Sequence, residues 1–258
     1  MMIKLNTVLL MFLTAFTVNA QIAVFKKELV RPSQLTYYAL NHLGETSSIV
    51  SNEIAKETLL KIFTFKDPFL GGIENYDERN PLQQLVFYKN TQHVILLDNQ
   101  LSVKEKINFI DRFPEIDPLY VALSAQASIW VFDQTSKRWC LIASNSSSPK
   151  FVSNPIPTNE FVTTSGNFAY WQIKNVVTGI DIYGNLLEEQ ILPSRSKLLA
   201  VNGDNYIYKL NKGVFLLNRS TKETQRLREI NDDIEKAIIV AKNVSLLSSQ
   251  KLYLYTLN

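Results

Sequence analysis

The stretch Ala127 to Ala143, ASIWVFDQTSKRWCLIA, constrains the fold most strongly because it reads as a strand, a turn and a strand. Trp130 and Phe132 in the first half, and Trp139 in the second, belong to runs with large side chains at period-two spacing. The polar run between the two halves supplies the break that a hairpin needs. Short strand-like runs separated by polar turns continue along most of the chain. We therefore expect an all-β protein.

A polar residue that ends a strand recurs at a step close to forty residues. The positions are Asp98, Asp133, Asp181, Asn218 and Thr256, with steps of 35, 48, 37 and 38 residues. A β-rich repeat of this length is typical of a β-propeller, in which four-stranded blades bury their faces against one another around an axis. The spacing favours six blades, and five result if the irregular N-terminal region is one blade. About twenty strand candidates are too many for a sandwich or a single barrel.

The two ends of the chain predict how such a propeller closes. The strand Ala23 to Val30 has no evident partner, and the last strand group stops after Leu257. An N-terminal strand that completes the last blade would remove both open edges, which are aggregation hazards. Residues 47–60 are ambiguous between a short helix and a strand. We expect one domain, residues 21–258, forming an all-β propeller closed by the N-terminal strand.

The first twenty residues have the pattern of a secretory signal peptide. Lys4 precedes the apolar run Val8 to Val18, and Ala20 provides a small residue for cleavage. The run is shorter than the roughly 20 residues of a membrane-spanning helix, so we expect no transmembrane segment in a mature chain that begins at Gln21. Cys140 lies far from this segment and cannot be its lipid acceptor. The sequence predicts a periplasmic or secreted protein.

Composition and motifs narrow the classes of function. The 27 basic residues, of which Lys4 belongs to the signal segment, nearly balance 24 acidic residues, and this argues against a nucleic-acid partner. The two histidines, His42 and His93, occur in neither an HxH nor an HExxH pattern. No GxSxG sequence is present, and Cys140 has the surroundings of a core residue. We expect no catalytic motif, no cofactor and no metal site.

The segments SIWVFDQTSKRWCLI and VILLDNQLSVKEKI resemble blades of exported bacterial β-propellers, the broad group that includes NHL-like and sensor-domain propellers. The WD dipeptide with an upstream Gly-His and the kelch double glycine are missing, so the resemblance specifies no subfamily. Such proteins often serve as non-enzymatic subunits of envelope machinery. The resemblance implies an interaction module with an envelope or secreted protein partner, for example in outer-membrane assembly or secretion.

Two polar connections, Asp67 to Pro81 and Asp111 to Pro118, form the predicted interaction surface. As consecutive connections of a propeller they would emerge near one another, and exposed aromatic and arginine side chains suit an interface. The residues predicted for this surface are Phe69, Tyr76, Asp77, Glu78, Arg79, Asp111, Phe113 and Asp117. The alternative function is a carbohydrate-active enzyme or glycan-binding lectin that uses the aspartates of this set and Glu78.

Overall fold

The protein is a six-bladed β-propeller in a computed structural model that describes residues 22–124, 127–157, 161–227 and 230–258. The predicted signal peptide, residues 1–20, lies outside the described residues. The strands form six four-stranded antiparallel sheets, which confirms the all-β prediction and the first choice of six blades over five.

The chain begins with β1 (Ala23–Val30) and then builds the blades in order. Blade 1 contains β2 (Leu35–Leu40), β3 (Thr46–Val50), β4 (Glu53–Glu57) and β5 (Ile62–Phe65). Blade 2 contains β6 (Asn75–Asp77), β7 (Gln84–Tyr88), β8 (His93–Leu97) and β9 (Val103–Asn108), and is followed by the short helix α1 (Phe109–Arg112). Blade 3 contains β10 (Pro118–Leu123), β11 (Ser128–Asp133), β12 (Arg138–Ala143) and β13 (Pro149–Val152).

The remaining strands complete the circle. Blade 4 contains β14 (Val162–Ser165), β15 (Phe168–Ile173), β16 (Val176–Asp181) and β17 (Gln190–Ile191). Blade 5 contains β18 (Lys197–Asn202), β19 (Asn205–Leu210), β20 (Gly213–Asn218) and β21 (Thr224–Arg226). Blade 6 contains β22 (Ile234–Val240), β23 (Asn243–Ser248), β24 (Lys251–Leu257) and, as its outer strand, β1.

The order of strands within a blade defines two ends of the molecule. The first strands of neighbouring blades contact one another around the axis, and the fourth strands lie outside. Because the strands alternate in direction, the turns between first and second and between third and fourth strands lie at one end, here called the hairpin end. The turns between second and third strands lie at the other end with the connections between blades, and this end is called the crossover end.

The N-terminal strand closes the ring as predicted. β1 pairs antiparallel with β24, from Ala23 opposite Leu257 to Val30 opposite Lys251. Gln225 of blade 5 adds a side-chain bridge, because its amide exchanges hydrogen bonds of 2.8 Å with both the N–H and the carbonyl oxygen of Ala23. The terminal strand is therefore held by the last blade and by its neighbour.

The core consists of apolar layers between adjacent blades. Trp130 and Trp139 are fully buried between blades 3 and 4, with their rings edge to face at 6.0 Å. Cys140 lies in the neighbouring layer between blades 2 and 3, where burial raises the pKa of its thiol to about 12. These side chains serve packing, as period-two patterning predicts for a buried blade face.

The recurring polar residue has a local cause. Asp98 follows the third strand of blade 2, and its Oδ1 atom accepts hydrogen bonds from the backbone N–H groups of Gln100 and Ser102. Asp181 makes the same kind of turn at the last residue of the third strand of blade 4. Asp133 instead ends a second strand, β11. The steps of 35 and 48 residues are unequal because the recurring polar residue occupies two different positions of the blade.

Two segments differ from the sequence-based interpretation. Residues 47–60, left open between helix and strand, contain β3 and β4 of blade 1. The connection from Asp67 to Pro81, interpreted as wholly irregular, contains β6, the first strand of blade 2. Only three residues long and polar at its end, β6 lacks the apolar alternation by which the other strands were found.

Candidate functional site

The residues predicted for one interaction surface lie in four different places. Phe69 is 90% exposed at the crossover end, where Asp111 and Asp117 also lie. Asp77, Glu78 and Arg79 lie at the hairpin end of β6 instead. The other two predicted residues are buried inside the protein. Tyr76 lies beside the axis, and Phe113 lies between blades.

The prediction that Tyr76 and Phe113 are exposed anchors is wrong, since each is only 4% exposed. Tyr76 lies in a first strand, with its ring edge to face against Tyr37 of blade 1 at 5.0 Å. Phe113 follows α1 and packs on Phe109, 5.3 Å away, in the layer between blades 2 and 3. An aromatic residue in a polar connection is buried here because the connection folds back onto a blade interface.

Asp77 and Arg79 form an ion pair that joins three blades. The Asp77 Oδ2 atom accepts a hydrogen bond of 2.9 Å from the backbone N–H of Leu123 in blade 3. Arg79 donates to the backbone oxygen of Thr164 in blade 4 at 2.6 Å and to its hydroxyl oxygen at 2.8 Å. Burial alone would raise the pKa of Asp77, but the charge and hydrogen bonds of Arg79 lower it. The pair is therefore a charged connection between neighbouring blades.

Glu78 makes the corresponding connection in the other direction. Its carboxylate accepts hydrogen bonds from the hydroxyl of Tyr37, at 3.0 Å, and from the hydroxyl of Ser47, both in blade 1. Burial raises the pKa of Glu78, and these two donors offset only part of that effect. The consecutive residues 77–79 thus connect blades 1, 2, 3 and 4.

The hairpin end carries hydrogen bonds across all six blade interfaces. Asp77 and Glu78 bridge two of these interfaces. At the other four, the donor and acceptor residues are Trp130 and Gly166 at 3.3 Å, Gly203 and Ser165 at 2.9 Å, Asn202 and Ala241 at 3.2 Å, and Asn243 and Leu40 at 3.0 Å. Because each bond joins adjacent blades, the ring has a connection at every interface. This end of the molecule is built as a structural ring.

The carboxylates of the alternative, carbohydrate-directed function are divided between the two ends of the molecule, with Asp77 and Glu78 at the hairpin end and Asp111 and Asp117 at the crossover end. Asp77 bonds to Leu123 at the last residue of β10, whereas Asp117 precedes the first residue of that strand. At about 3.3 Å per residue the two carboxylates lie about 20 Å apart, and glycoside hydrolysis places its pair within about 10 Å. Asp117 is also bonded by Gln92, and Asp111 by Asn108. Each of these carboxylates has a structural partner.

A cavity of about 410 Å³ lies on the axis between the first strands. Four of those strands contain a bulge at the same place, between residues 35 and 37, 118 and 120, 198 and 200, and 234 and 236. The residues that follow the bulges are Tyr37, Tyr120, Ala200 and Lys236, and all four line the cavity. A bulge can redirect a side chain, and the sequence carries no motif that reports it, so sequence reasoning missed this group.

The outer edge of blade 1, here called the blade 1 edge and defined as residues 59–69, is the second notable surface. Leu59 and Leu60 are 95% and 92% exposed at the turn before β5. Ile62 in β5 and Phe69 beyond it are also exposed. Several exposed apolar side chains along one edge are typical of interaction sites.

The described ranges, residues 22–124, 127–157, 161–227 and 230–258, also bear on metal binding and membrane insertion. Within them, no group of three or more His, Cys, Asp or Glu residues is arranged to hold a metal ion. No helix in the same part of the chain has the length and apolar character to cross a membrane.

The comparisons with known proteins identify the fold. No family model matches the chain, and no curated protein sequence matches it. Among solved structures, a streptogramin B lyase is 14% identical, with 88% of this chain and 81% of that chain covered and a TM-score of 0.60. A catalytically inactive virginiamycin B lyase from Staphylococcus aureus, solved with quinupristin, is 12% identical, with 91% and 100% covered and a TM-score of 0.61.

BamB from Moraxella catarrhalis is 9% identical, with 91% of this chain and 100% of that chain covered and a TM-score of 0.52. A lyase and BamB thus both resemble this chain in fold, and a fold by itself does not specify a function. At these identities the likeness concerns the fold alone, and by that fold the chain is a six-bladed β-propeller.

Proposed function

We propose that the protein is an exported, non-enzymatic β-propeller that binds a protein partner through the blade 1 edge. The specific form of the proposal is an accessory subunit of an outer-membrane assembly or secretion complex in the cell envelope. Export rests on the signal-like segment before Gln21, and the envelope role rests on the resemblance of the blades to exported propellers. The binding surface rests on the structure of β5.

β5 differs from the other outer strands in lacking the features that protect a sheet edge. Native proteins protect such edges with charges, proline, bulges or very short strands. The charged residues in the other outer strands are Lys26, Lys27 and Glu28 in β1, Lys104, Glu105 and Lys106 in β9, Lys150 in β13 and Arg226 in β21. β17 is only two residues long. β5, with the sequence IFTF, has neither a charge nor a proline, and its four residues make it longer than β17, the other outer strand of the described structure that lacks both.

The geometry indicates how a partner would bind. An extended segment of the partner can add to a free strand edge through backbone hydrogen bonds, and its side chains then contact apolar groups beside the edge. Leu60 and Ile62 are such groups. Lys61 and Lys66, both exposed, flank the apolar part of β5. A partner segment with an apolar centre and acidic flanks would complement this edge.

Site-specific photo-crosslinking in the native cell tests the proposal. We expect a photoreactive phenylalanine derivative at Leu60 to give one discrete adduct with an envelope protein. The same residue at Leu186, an exposed leucine of blade 4, is the matched control and should give none. Ile62→Lys, which places an edge-protecting charge on an exposed position, should abolish the adduct while the melting temperature stays unchanged.

Equal adducts at both positions, or an adduct that Ile62→Lys leaves intact, would contradict the proposed surface. Export is tested separately by cell fractionation and N-terminal sequencing. We expect the protein in the periplasmic or secreted fraction with Gln21 as its first residue. A cytosolic protein that retains Met1 would refute the export part.

A further inference from the structure

Lys236 is a cation held beside the axial cavity. It follows the bulge of β22 and is only partly exposed. Its ammonium lies 5.8 Å from the centre of the Tyr37 ring, a cation–π arrangement. Tyr37 is itself fixed by its hydrogen bond to Glu78. The position of the ammonium is therefore prepared by the fold.

Lys236 forms no ion pair with a carboxylate in the described part of the chain. The carboxylate of the adjacent Glu235 is instead paired with the guanidinium of Arg31, with 2.7 Å between the Glu235 Oε2 and Arg31 Nη1 atoms. Burial lowers the pKa of Lys236, and Glu74 offsets part of this effect while Arg31 adds to it. An ammonium has three donors, and the Tyr37 ring is not a hydrogen-bonding acceptor of ordinary strength. The cavity thus contains a cation with unused donors.

Glu74 is the complementary group. It lines the same cavity as Lys236, and both also line an adjoining cavity of about 290 Å³ toward the crossover end. Its backbone N–H donates to the carbonyl oxygen of Phe87, which fixes the segment, and its carboxylate is exposed. Within the described residues this carboxylate has no ion-pair partner either. Two opposite charges therefore border one opening without closing on each other.

We propose that the crossover end of the axial cavity binds an α-amino acid with an aromatic side chain. Lys236 binds its carboxylate, Glu74 binds its ammonium group, and the ring of the ligand packs among Tyr37, Tyr76 and Tyr120. A zwitterion satisfies both charges at once, whereas a simple anion or cation satisfies one and faces the other. The cavity volume falls within the range of small-molecule sites, and charge-assisted hydrogen bonds fix the orientation.

Isothermal titration calorimetry with three matched probes tests this proposal on the mature chain. The probes are L-phenylalanine, phenethylamine, which lacks the carboxylate, and 3-phenylpropanoate, which lacks the amine. We expect L-phenylalanine to bind at least about tenfold more tightly than either of the others, the change that loss of one charge-assisted hydrogen bond gives. Binding of all three with equal affinity, or of none at millimolar concentration, would overturn the proposal.

Two variants assign the charges. Lys236→Gln should reduce the affinity for L-phenylalanine to that for phenethylamine, and Glu74→Gln should reduce it to that for 3-phenylpropanoate. Lys242→Gln, an exposed change at the hairpin end, is the control and should alter nothing. A merely structural Lys236 would weaken all three probes equally or none, which contradicts the assignment. Thermal melting of each variant checks folding, and Lys236→Met provides a second neutral replacement.

Discussion

Replacing Asp77 by asparagine tests whether the buried ion pair holds neighbouring blades together. The substitution keeps the shape of the side chain and removes its charge. Arg79 would then keep its charge while facing an amide, although its hydrogen bonds to Thr164 would remain. The Asp77 side chain is buried and Arg79 is mostly so, and water can therefore replace the lost carboxylate only in part.

The expected cost is about 3 kcal/mol of the free energy of unfolding. Removing one partner of a buried ion pair costs about 3–5 kcal/mol, and the lower value applies because Arg79 retains some contact with solvent. For a chain of this length, about 3 kcal/mol corresponds to a fall in Tm of roughly 6–12 °C. Arg79→Met removes the other charge, and the double variant should be less destabilised than the sum of the two single variants by about 1 kcal/mol or more.

Urea unfolding at pH 7, followed by tryptophan fluorescence, measures these values. Asp98→Asn is the matched control because Asp98 lies in an exposed turn in which an asparagine oxygen can accept the same two backbone hydrogen bonds. It should change the free energy of unfolding by less than about 0.5 kcal/mol. If Asp77→Asn were as mild as this control, or if the double variant showed additive losses, the pair would not connect the blades.

Two further predictions concern Glu78 and the turn glycines. Because burial raises the pKa of Glu78, the folded state binds the Glu78 proton more tightly than the unfolded state does, and the free energy of unfolding falls as the pH rises above the ordinary range of a glutamate. Glu78→Gln should therefore gain stability relative to the wild type between pH 4 and pH 7. Urea titrations that show the opposite slope would contradict this. Gly184→Ala should cost roughly 2–4 kcal/mol, because φ is +86° there and the new Cβ would overlap the ring of Phe151. Gly166→Ala, with φ at +55° and no atom within 4 Å of the new Cβ, should cost only about 1–2 kcal/mol in the same assay, and equal losses would refute the packing argument.

Most strands of the fold were predictable because their own residues show the alternation of a half-buried strand, which β6 lacks. The hairpin of blade 3 pairs Phe132 with Trp139, as period-two spacing on either side of a polar turn predicts. The strand Ala23 to Val30 was found with its observed bounds and its observed role in closure. Both features depend on local alternation and on the cost of open edges, which a single sequence displays.

The candidate sites were less predictable because they depend on contacts between distant blades. The segment around Asp77 is polar, which in a sequence suggests an exposed loop. In the structure these polar side chains face the axis. There Glu78 accepts a hydrogen bond from Tyr37 of blade 1, and Arg79 donates one to Thr164 of blade 4. No local pattern distinguishes such a charge from a solvated one. Lys236 was missed for the same reason, since its orientation depends on a bulge.

One connection joins the two proposed binding sites. Residues 66–74 lead from the blade 1 edge, where Phe69 is exposed, to Glu74 at the axial cavity. Between them Leu70 is buried, and its backbone oxygen accepts a hydrogen bond of 3.1 Å from Thr91. A ligand that fixes Glu74 and a partner that fixes Phe69 would therefore act on opposite sides of one anchored residue. Because binding linkage is reciprocal, any factor by which the amino acid changes the affinity for the partner must equal the factor by which the partner changes the affinity for the amino acid. The burial of Leu70 favours a small factor, since an anchored segment transmits little rearrangement from one side to the other.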